Sequence, residues 1–562
     1  MKVSEAIADC LATLGVTDVF GIPGGVILDL IYAFDAHPGI TPHLTYHEQT
    51  AGFAACGYAQ SSGKLGVAYA TRGPGFTNLV TPMADAYYDS FPTLFLTAHT
   101  TPLKPTSMRV LADQEIDTCE IVRRITKCAY RIDTIDEFLE LFPKACRLAL
   151  SGRKGPGFVD FSTSLLKEDI ASGVIVDTAD EEGGSSVDLV DELVASVAKA
   201  RRPVILVGDG INQAGVAEEF RSLAGGLGVP LVSSRFSHDV CCSCENYFGY
   251  VGSHGSRAAN FILSKSDLIV SLGNRLHFPT QSTSFASVLS HARVLRYEID
   301  ESELDRVVPN SVCRHVDVAS IVHSLASVMT DMGCHDDWLA VCRELDSELR
   351  LADVNDVVEA IARILGSLPP DAMVVADVGN NEFWLSQASV AYRIPNRTLY
   401  SKSFGAMGCS LGKAIGAYYA TARPVICFVG DQGLQMNIQE LQYIAQHDLP
   451  ISIVLIDNGV SGMIRDKEIR KYGRCLHTTS STGFKKPNLP KVMQGYGIEY
   501  LQAQVGEALE GFPIVGDSKG PVFVDLLVGD DHNLLPELCI GDECQDLTPK
   551  LERAKYEYLN RL

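Results

Sequence analysis

The sequence predicts an α/β protein built from three doubly wound parallel sheets. Short apolar runs recur along the chain and alternate with longer amphipathic stretches. Such runs are typical of strands buried on both faces, and the amphipathic stretches are typical of crossover helices. A chain of 562 residues is long enough for roughly three or four domains. The clearest predicted strands are Val67–Ala70, Thr93–Thr97, Val204–Val207, Leu268–Leu272, Val425–Val429 and Ile451–Ile456.

Two polar segments divide the chain into domains. Asp180–Ser186 is acidic and rich in Gly and Ser, which is typical of a linker. A second break lies near Asp331–Asp337, before a predicted helix that leads to Leu351–Val354. We therefore expect an N-terminal domain over residues 1–175, a central domain over 187–335, a third domain over 350–545 and a C-terminal tail over 546–562. The first and third domains are candidates for related folds.

Charge and composition exclude several kinds of partner. The formal net charge is -22, from 47 basic and 69 acidic residues. This argues against nucleic acid and anionic membranes, which bind basic surfaces. No apolar run is long enough to span a membrane, and acidic residues interrupt the N-terminal helix pattern, so we expect neither an anchor nor a signal peptide. The 16 cysteines are then expected to be reduced thiols in a cytoplasmic protein.

The stretch Val425–Gly462 carries the most specific pattern. It predicts a strand, a tight turn, a helix, a second strand and a polar turn. Asp431 follows the first strand and Asn458 the second, and open parallel sheets bind ligands at the carboxyl ends of their strands. A carboxylate, an amide oxygen and the Val460 carbonyl suit Mg²⁺, which also takes phosphate oxygens, and the N-terminus of a helix favours phosphate. Singly, Asp431 could be a helix N-cap and Asn458 a turn residue.

The same stretch resembles the thiamine diphosphate motif, which begins Gly-Asp-Gly and ends Asn-Asn. The words LQMNIQEL and GMI within it resemble acetolactate synthase and its relatives. Two positions depart from the motif, because Gln432 stands where the family has Gly and Asp457 where it has the first Asn. The resemblance extends over residues 1–540 and implies thiamine diphosphate bound through Mg²⁺, with altered turn geometry and local charge.

Further loops match the cofactor loops of this family. SFGAMGCSLG resembles the loop around the aminopyrimidine ring, where Met407 stands at the position of the bulky apolar wedge. Gly379–Asn381 matches a loop that contacts the diphosphate. An ordinary Gly-rich loop with a core Met is the alternative for the first of these. The resemblance implies these cofactor-binding residues: Pro23, Gly24, Glu48, Pro74, Asn78, Gly379, Asn380, Asn381, Gly405, Met407, Gly430, Asp431, Gln432, Gly433, Asn458, Val460, Gly462 and Met463.

Glu48 is the candidate catalytic residue of the N-terminal domain. FGIPGG, HEQ and GPGFTN occur in the order that resembles acetolactate synthase and benzaldehyde lyase. The cofactor is a carbanion catalyst, and a carboxyl group that exchanges a proton with its pyrimidine N1′ makes it reactive. In the family this glutamate reaches the cofactor of a neighbouring subunit. The resemblance therefore implies a homodimer or homotetramer with its active site at the subunit interface. Without that context, Glu48 would be a surface helix residue.

Gln114 is a second candidate catalytic residue, and Asp113, Arg465 and Lys467 are candidates for substrate recognition. Gln114 lies in LADQEID, which resembles a family segment near the substrate, and Asp113 stands where the family has Phe. Arg465 and Lys467 follow GMI, and Lys467 falls where the family has the Trp that selects an apolar acceptor. Because positions i and i+2 do not share a helical face, at most one of them points into the pocket. The pattern predicts an anionic or strongly polar acceptor, with a solvated helix face as the alternative.

The central domain carries a weaker pattern. Gly208 and Gly210 form only Gly-x-Gly, not a full dinucleotide fingerprint. Typical acetolactate synthases bind FAD here through a segment rich in Asp and Arg. This sequence has GNRLHFPTQ instead, so FAD is doubtful and we do not expect it at stoichiometric amounts.

The leading hypothesis is an enzyme. The resemblance implies decarboxylation of a 2-keto acid, with pyruvate the expected donor, followed by ligation to a second carbonyl compound. Two alternatives stay open, a simple 2-keto acid decarboxylase and a catalytically silent relative that regulates an active subunit. Gln432 and Asp457 favour the silent relative, whereas Glu48, Asp431 and Asn458 favour the enzyme.

Overall fold

The computed structural model describes residues 1–100, 113–171, 176, 186–276, 283–328, 332–506, 520–530 and 532–562. Within these residues, strands β1–β18 form three six-stranded sheets. Strand pairing is parallel in each of them. The predicted α/β class with three doubly wound parallel sheets is confirmed.

The first sheet has the spatial order β2-β1-β3-β4-β6-β5. Its strands are β1 (Asp18–Gly21), β2 (Thr41–Leu44), β3 (Gly66–Tyr69), β4 (Thr93–His99), β5 (Cys128–Ile132) and β6 (Pro156–Ser162). Its helices are α1 (Val3–Thr13), α2 (Leu28–Ala36), α3 (Glu48–Ser62), α4 (Pro74–Asp89), α5 (Thr118–Val122) and α6 (Ile135–Leu150). Strands β3, β4 and β6 are buried throughout, as expected for parallel strands covered on both faces.

The central sheet has the order β12-β11-β10-β7-β8-β9. Its strands are β7 (Pro203–Val207), β8 (Leu231–Ser233), β9 (Tyr247–Tyr250), β10 (Leu268–Leu272), β11 (Arg293–Glu298) and β12 (Ser311–His315). The helices of this region are α7 (Ser186–Lys199), α8 (Gly210–Gln213), α9 (Ala217–Ala224), α10 (His238–Cys241), α11 (Arg257–Lys265), α12 (Thr283–His291), α13 (Val318–Leu325) and α14 (Asp336–Leu349).

The third sheet has the order β14-β13-β15-β16-β18-β17, which repeats the strand order of the first. Its strands are β13 (Met373–Ala376), β14 (Thr398–Leu399), β15 (Val425–Gly430), β16 (Ile451–Asp457), β17 (Glu499–Gln504) and β18 (Val522–Leu527). Its helices are α15 (Asp356–Gly366), α16 (Asn380–Ala391), α17 (Ser410–Thr421), α18 (Asp431–Met436), α19 (Glu440–Gln446), α20 (Gly462–Tyr472) and α21 (Leu489–Tyr496). The first and third domains therefore share one topology.

Helices α3 and α17 join the first and third domains through small residues. A Cβ on Gly57 would lie 2.2 Å from the carbonyl oxygen of Lys413, and one on Gly416 would lie 1.9 Å from that of Ala54. Only glycine allows the two backbones to approach this closely. Residues of both sheets consequently belong to one continuous apolar core.

The end of the chain folds back onto the central domain. Helix α22 (Arg553–Arg561) buries Leu559 in the same apolar cluster as Trp338 of α14. Arg202 donates a hydrogen bond to the carbonyl oxygen of Leu562 at 3.2 Å. The C-terminal segment thus contributes to the core of the central domain. In the described part of the chain, no helix is long and apolar enough to cross a membrane.

Candidate active site

The loops that follow β13 and β15 lie against each other at the carboxyl edge of the third sheet. Gly379 begins α16 with φ of +138°, a conformation that favours glycine. The Asn381 amide donates to the carbonyl oxygen of Asp377 at 2.8 Å. Its Oδ1 atom lies 2.9 Å from the position of a Cβ on Gly379 and 3.6 Å from one on Gly430. These contacts bring the predicted cofactor residues of both loops together.

Asp431 is a buried carboxylate that accepts no hydrogen bond from any described residue. It begins α18, is 4% exposed, and neither side-chain oxygen is hydrogen-bonded to a described residue. Burial raises its pKa to about 7, although the Lys486 ammonium and the nearby N–H groups of Gly459 and Val460 act to lower it. Unpartnered buried polar atoms require an explanation, and a cation bound here would supply one.

The turn after β16 lies beside the loops that follow β13 and β15. Asn458 Oδ1 accepts the Val460 N–H at 3.3 Å. A Cβ on Gly462 would lie 2.8 Å from the Asn458 amide nitrogen and 3.0 Å from that of Asn380. Asn380 is 6% exposed, and both of its amide atoms lack partners among the described residues. The predicted residues Asn380, Asn458, Val460 and Gly462 thus lie close together, and Ser461 of this turn bonds to Gln432, the neighbour of Asp431. The half-buried Met463 follows on α20.

The two departures from the family motif are accommodated locally. Gln432 lies on α18, so its backbone is helical and no glycine is needed. Its exposed side chain accepts a hydrogen bond from Ser461 at 3.0 Å. The Asp457 carboxylate accepts the Gly459 N–H at 3.1 Å and forms an ion pair with Lys486. The altered charge is therefore neutralised, and the turn geometry is compatible with Gln.

Asp377 organises the loops around the site and was not predicted from the sequence. It is fully buried and accepts the N–H groups of Gly408 at 2.9 Å and Ser410 at 3.1 Å. A Cβ on Gly433 would lie 2.7 Å from its Oδ1 atom. Burial raises its pKa, and the N–H of Gly408 lowers it. The sequence feature that could have predicted Asp377 is its position as a charged residue directly after the apolar strand β13.

The Met407 loop is held between the first and third domains. Met407 is half-buried, and Gly405 before it is exposed with φ of +68°. The Ser401 hydroxyl accepts the Ala406 N–H at 2.7 Å and donates to Asp85 of α4. Asp85 also pairs with Lys413 at 2.8 Å, and both side chains are fully buried. This network fixes the loop in which the sequence placed the aminopyrimidine contact.

Glu48 lies at the carboxyl edge of the first sheet. It is the first residue of α3, and His47 before it caps the helix by accepting the Gln49 N–H at 3.1 Å. The half-buried carboxylate accepts a hydrogen bond from Asn78 of α4 at 2.9 Å. A Cβ on Gly75 would lie 3.3 Å from its Oε1 atom. The GPGFTN segment therefore packs directly on the predicted catalytic residue.

The remaining predicted loops meet at the same edge. Gly73 has φ of +64°, and a Cβ there would lie 2.5 Å from the Gln114 carbonyl oxygen. A Cβ on Gly24 would lie 2.4 Å from Thr71 Cβ. Gln114 itself has φ of +61°. The side chains of Pro23, Pro74, Asp113 and Gln114 are exposed.

Contacts from the third domain hold the segment around Glu48. Glu440 accepts the Tyr46 N–H at 3.1 Å, and burial raises its pKa to about 7. Asn437 accepts the Thr50 hydroxyl at 2.9 Å and donates to the Gly408 carbonyl at 2.7 Å. Within the described residues, the Glu48 carboxylate makes its hydrogen bond inside its own domain. Asn437 and Glu440 lie in the segment NIQEL. The sequence did not predict that they hold the segment around Glu48, because these contacts join two domains.

Comparison with known proteins identifies the family. Three family models match in chain order: the thiamine pyrophosphate enzyme N-terminal TPP binding domain over residues 1–121, the central domain over 190–325 and the C-terminal TPP binding domain over 377–526. The acetolactate synthase large subunit of Lactococcus lactis is 32% identical over 556 residues, covering 96% of this chain and 94% of that protein. The chain belongs to the thiamine pyrophosphate enzymes of the acetolactate synthase type.

Other relatives carry the same name. The acetolactate synthase isozyme 2 large subunit of Escherichia coli is 30% identical over 98% of this chain and 100% of its own length. The large subunit of Corynebacterium glutamicum is also 30% identical, over 97% and 90%. The chain is therefore a thiamine pyrophosphate-dependent enzyme of decarboxylation and carboligation.

The two cations that follow the metal-site turn differ in this thiamine pyrophosphate enzyme. Arg465 is 6% exposed, pairs with Asp466 at 2.6 Å, and donates to the Asp530 carbonyl and to Asn533 at 3.1 Å. Its guanidinium thus anchors α20 to the loop after β18. Lys467 is exposed, and no hydrogen bond or ion pair joins it to a described residue. Of the two, Lys467 has the free cation.

A cavity lies where the central domain meets the other two. Its volume is about 270 Å³, and its lining includes Arg153, Asp209, Asn274, Arg275 and Lys402. A Cβ on Gly208 would lie 2.1 Å from the Gly273 carbonyl, and one on Gly210 would lie 2.5 Å from Gly273 Cα. The Gly-x-Gly is therefore explained by loop packing. The part of GNRLHFPTQ after Leu276 lies outside the described residues, and the absence of FAD stays a prediction.

Proposed function

We propose that this enzyme binds thiamine diphosphate through Mg²⁺, decarboxylates pyruvate and ligates the product to a second, polar carbonyl compound. The observation that carries the proposal is the buried Asp431 carboxylate, which accepts no hydrogen bond from the part of the chain that the structure describes. Its neighbour Gln432 contacts the turn after Asn458 through Ser461. Asp431, Asn458 and the Val460 carbonyl are the proposed metal ligands, because Mg²⁺ takes oxygen ligands from one or two carboxylates plus phosphate.

The same edge of the sheet suits the rest of the cofactor. Gly379, Asn380, Asn381, Gly430, Gln432, Gly433, Gly462 and Met463 are the proposed contacts of its diphosphate end, and Gly405 and Met407 those of its pyrimidine. When bound, thiamine diphosphate supplies the carbanion chemistry of the reaction. The Asn380 amide makes no hydrogen bond to a described residue, so its donors and its acceptor are available to the diphosphate.

Glu48 is the proposed catalytic residue. Its carboxyl would hold and exchange the proton at N1′ of the pyrimidine, and Asn78 would keep it oriented for this. We propose that it serves the cofactor of a second copy of the chain, in a homodimer or homotetramer. The exposed apolar side chains of Leu44, Tyr46 and Met436 support such an interface. Pro23, Gly24 and Pro74 would line the same side of the cofactor.

Lys467 is the proposed acceptor-binding residue, Asp113 is a second proposed substrate contact, and Gln114 is proposed as a second catalytic residue. Since the Arg465 guanidinium is engaged by α20 and its neighbouring loop, the predicted acceptor contact falls to Lys467 alone. A cation at this position favours an acceptor that carries a carboxylate or phosphate.

Product analysis tests the proposal. Purified enzyme is incubated with Mg²⁺, thiamine diphosphate and pyruvate, with and without a panel of anionic and neutral aldehydes and keto acids. Release of CO₂ with a ligated hydroxyketone product supports carboligation. Release of CO₂ with acetaldehyde alone under every condition would identify a simple decarboxylase. No CO₂ from any 2-keto acid would identify a silent relative.

A further inference from the structure

The Asp457–Lys486 pair lies next to the proposed metal site. Asp457 is 3% exposed, and one of its oxygens accepts the Gly459 N–H at 3.1 Å. The other oxygen forms an ion pair with Lys486, which lies in the loop between α20 and α21. A buried carboxylate requires such a countercharge. Because Asp457 directly precedes Asn458, the pair brings a cation to the edge of the metal site.

The Lys486 ammonium has unused hydrogen-bonding capacity. Its side chain is 35% exposed, and among the described residues Asp457 is its one hydrogen-bond partner. An ammonium group has three donors, so two remain for a ligand. Asp457, the partner of Lys486, directly precedes the proposed metal ligand Asn458 in the chain. A cation with free donors therefore lies beside the turn that carries Asn458, and this turn approaches Asn380 through Gly462.

The chemistry of this space favours a phosphate ligand for Lys486. A diphosphate is strongly anionic, and here it would bind near two carboxylates, Asp431 and Asp457. Mg²⁺ offsets part of this charge, and a lysine ammonium offsets more while donating charge-assisted hydrogen bonds. Asp457 orients the ammonium, much as a carboxylate orients a catalytic or metal-binding group elsewhere.

We propose that Lys486 binds the diphosphate of the cofactor and that Asp457 holds it in place. The inference rests on the proposed function, because it assumes Mg²⁺-thiamine diphosphate at Asp431. The competing explanation is that Lys486 merely neutralises Asp457. The two explanations differ in one respect: replacing Asp457 by the family's Asn removes the need for neutralisation but leaves a diphosphate contact intact.

Calorimetric titration of the metal-free protein with thiamine diphosphate at saturating Mg²⁺ tests the proposal. Lys486→Met should weaken binding by about ten- to a hundredfold, the size of a charge-assisted hydrogen bond. Lys486→Arg should retain most of the affinity, because it keeps the cation. Lys485→Met is the matched control, since Lys485 is an exposed neighbour without a hydrogen bond or ion pair to a described residue, and it should bind like the parent enzyme.

The double variant Asp457→Asn/Lys486→Met decides between the explanations. It should still bind about ten- to a hundredfold more weakly than Asp457→Asn, which keeps the ammonium. Affinity restored to that of the parent enzyme would overturn the proposal and make Lys486 a countercharge only. Affinity unchanged in Lys486→Met would overturn it as well. Melting temperatures equal to that of Lys485→Met show that the variants are folded. If the parent enzyme itself binds no thiamine diphosphate, the proposed function fails and this inference with it, an outcome distinct from the other two.

Discussion

Asn78 of α4 donates a hydrogen bond of 2.9 Å to the carboxylate of Glu48, the first residue of α3. The contact joins HEQ and GPGFTN, two sequence words that lie far apart in the chain. A Cβ on Gly75 would lie 2.8 Å from Thr71 Cγ2 and 3.3 Å from the Glu48 Oε1 atom, so a larger residue there would displace its neighbours. Glu48 is therefore held at the carboxyl edge of the first sheet by the segment that sequence resemblance associates with it.

Glu48→Gln should abolish turnover while the fold and most cofactor affinity remain. The amide cannot exchange a proton with N1′, and loss of a general acid–base group costs about two to four powers of ten in rate. Steady-state kinetics and thiamine diphosphate titration measure the two effects separately. Asn78→Ala, which removes only the orienting hydrogen bond, should lose less activity. If Glu48→Gln turns over as fast as the parent enzyme, Glu48 is not the catalytic residue.

Asp431→Ala should abolish Mg²⁺-dependent binding of thiamine diphosphate, because it removes the charged metal ligand. Titration with the cofactor at increasing Mg²⁺ measures this. Gln432→Gly is the companion variant at the next position. It restores the family residue on a helical backbone and should be tolerated, with a modest change in affinity. Equal affinities of Asp431→Ala and the parent enzyme would contradict the metal site.

Gly433→Ala should weaken cofactor binding through Asp377. The added methyl group would lie 2.7 Å from the Asp377 oxygen, so this carboxylate and the Gly408 loop that it holds must shift. Overpacking of this kind costs about 1–3 kcal/mol. Gly366→Ala on α15, where a Cβ would meet open space, is the control. Identical cofactor affinity in both variants would show that Asp377 does not position the site.

Glu440 should make the free energy of unfolding depend on pH. Burial raises its pKa to about 7, so the folded protein holds a proton that the unfolded chain releases at lower pH. Its contribution to stability is full below its ordinary pKa range and is lost as the pH rises through about 7. Glu440→Gln does not titrate, so its melting temperature relative to the parent enzyme should be higher at about pH 8 than at about pH 5. A difference independent of pH would refute this.

Lys467→Trp should shift acceptor preference toward small apolar keto acids. The loss of a charge-assisted contact corresponds to about ten- to a hundredfold in selectivity against an anionic acceptor. Competition between an anionic and a neutral acceptor, scored as product ratio, measures it. Lys471→Trp, farther along α20 and also exposed, is the control. An unchanged product ratio in Lys467→Trp would place specificity elsewhere, for example at Asp113 and Gln114.

Hydrophobic patterning predicted the fold well, because fully buried parallel strands leave continuous apolar runs. Val425–Val429 was expected and Val425–Gly430 is observed, and Leu268–Leu272 is the same in both. The single helix expected between Asp431 and the next strand is instead two, α18 and α19, joined at Asn437. The C-terminal tail packs on the central domain, which local polarity could not reveal.

The site residues that lie in short sequence motifs could be predicted. The words around Glu48, Asp431 and Asn458 led to residues that the fold brings to the carboxyl edges of two sheets. Residues that act across domains carried no such signal. Lys486 is paired with Asp457 at a sequence separation of 29 residues, and that pairing exists only after folding. Arg465 was one of two candidate acceptor residues, of which at most one was expected in the pocket. Its hydrogen bond to Asn533 depends on the position of the loop after β18, which the sequence does not show.

Restoration of activity to cofactor-free protein tests the central claim most directly. The enzyme is stripped of metal and cofactor with a chelator, and CO₂ release from pyruvate is followed after adding back Mg²⁺, thiamine diphosphate or both. Our account predicts activity only with both, accompanied by a ligated product and absent in Asp431→Ala. Pyruvate decarboxylation that persists in fully stripped protein, or that returns equally in Asp431→Ala, would contradict it.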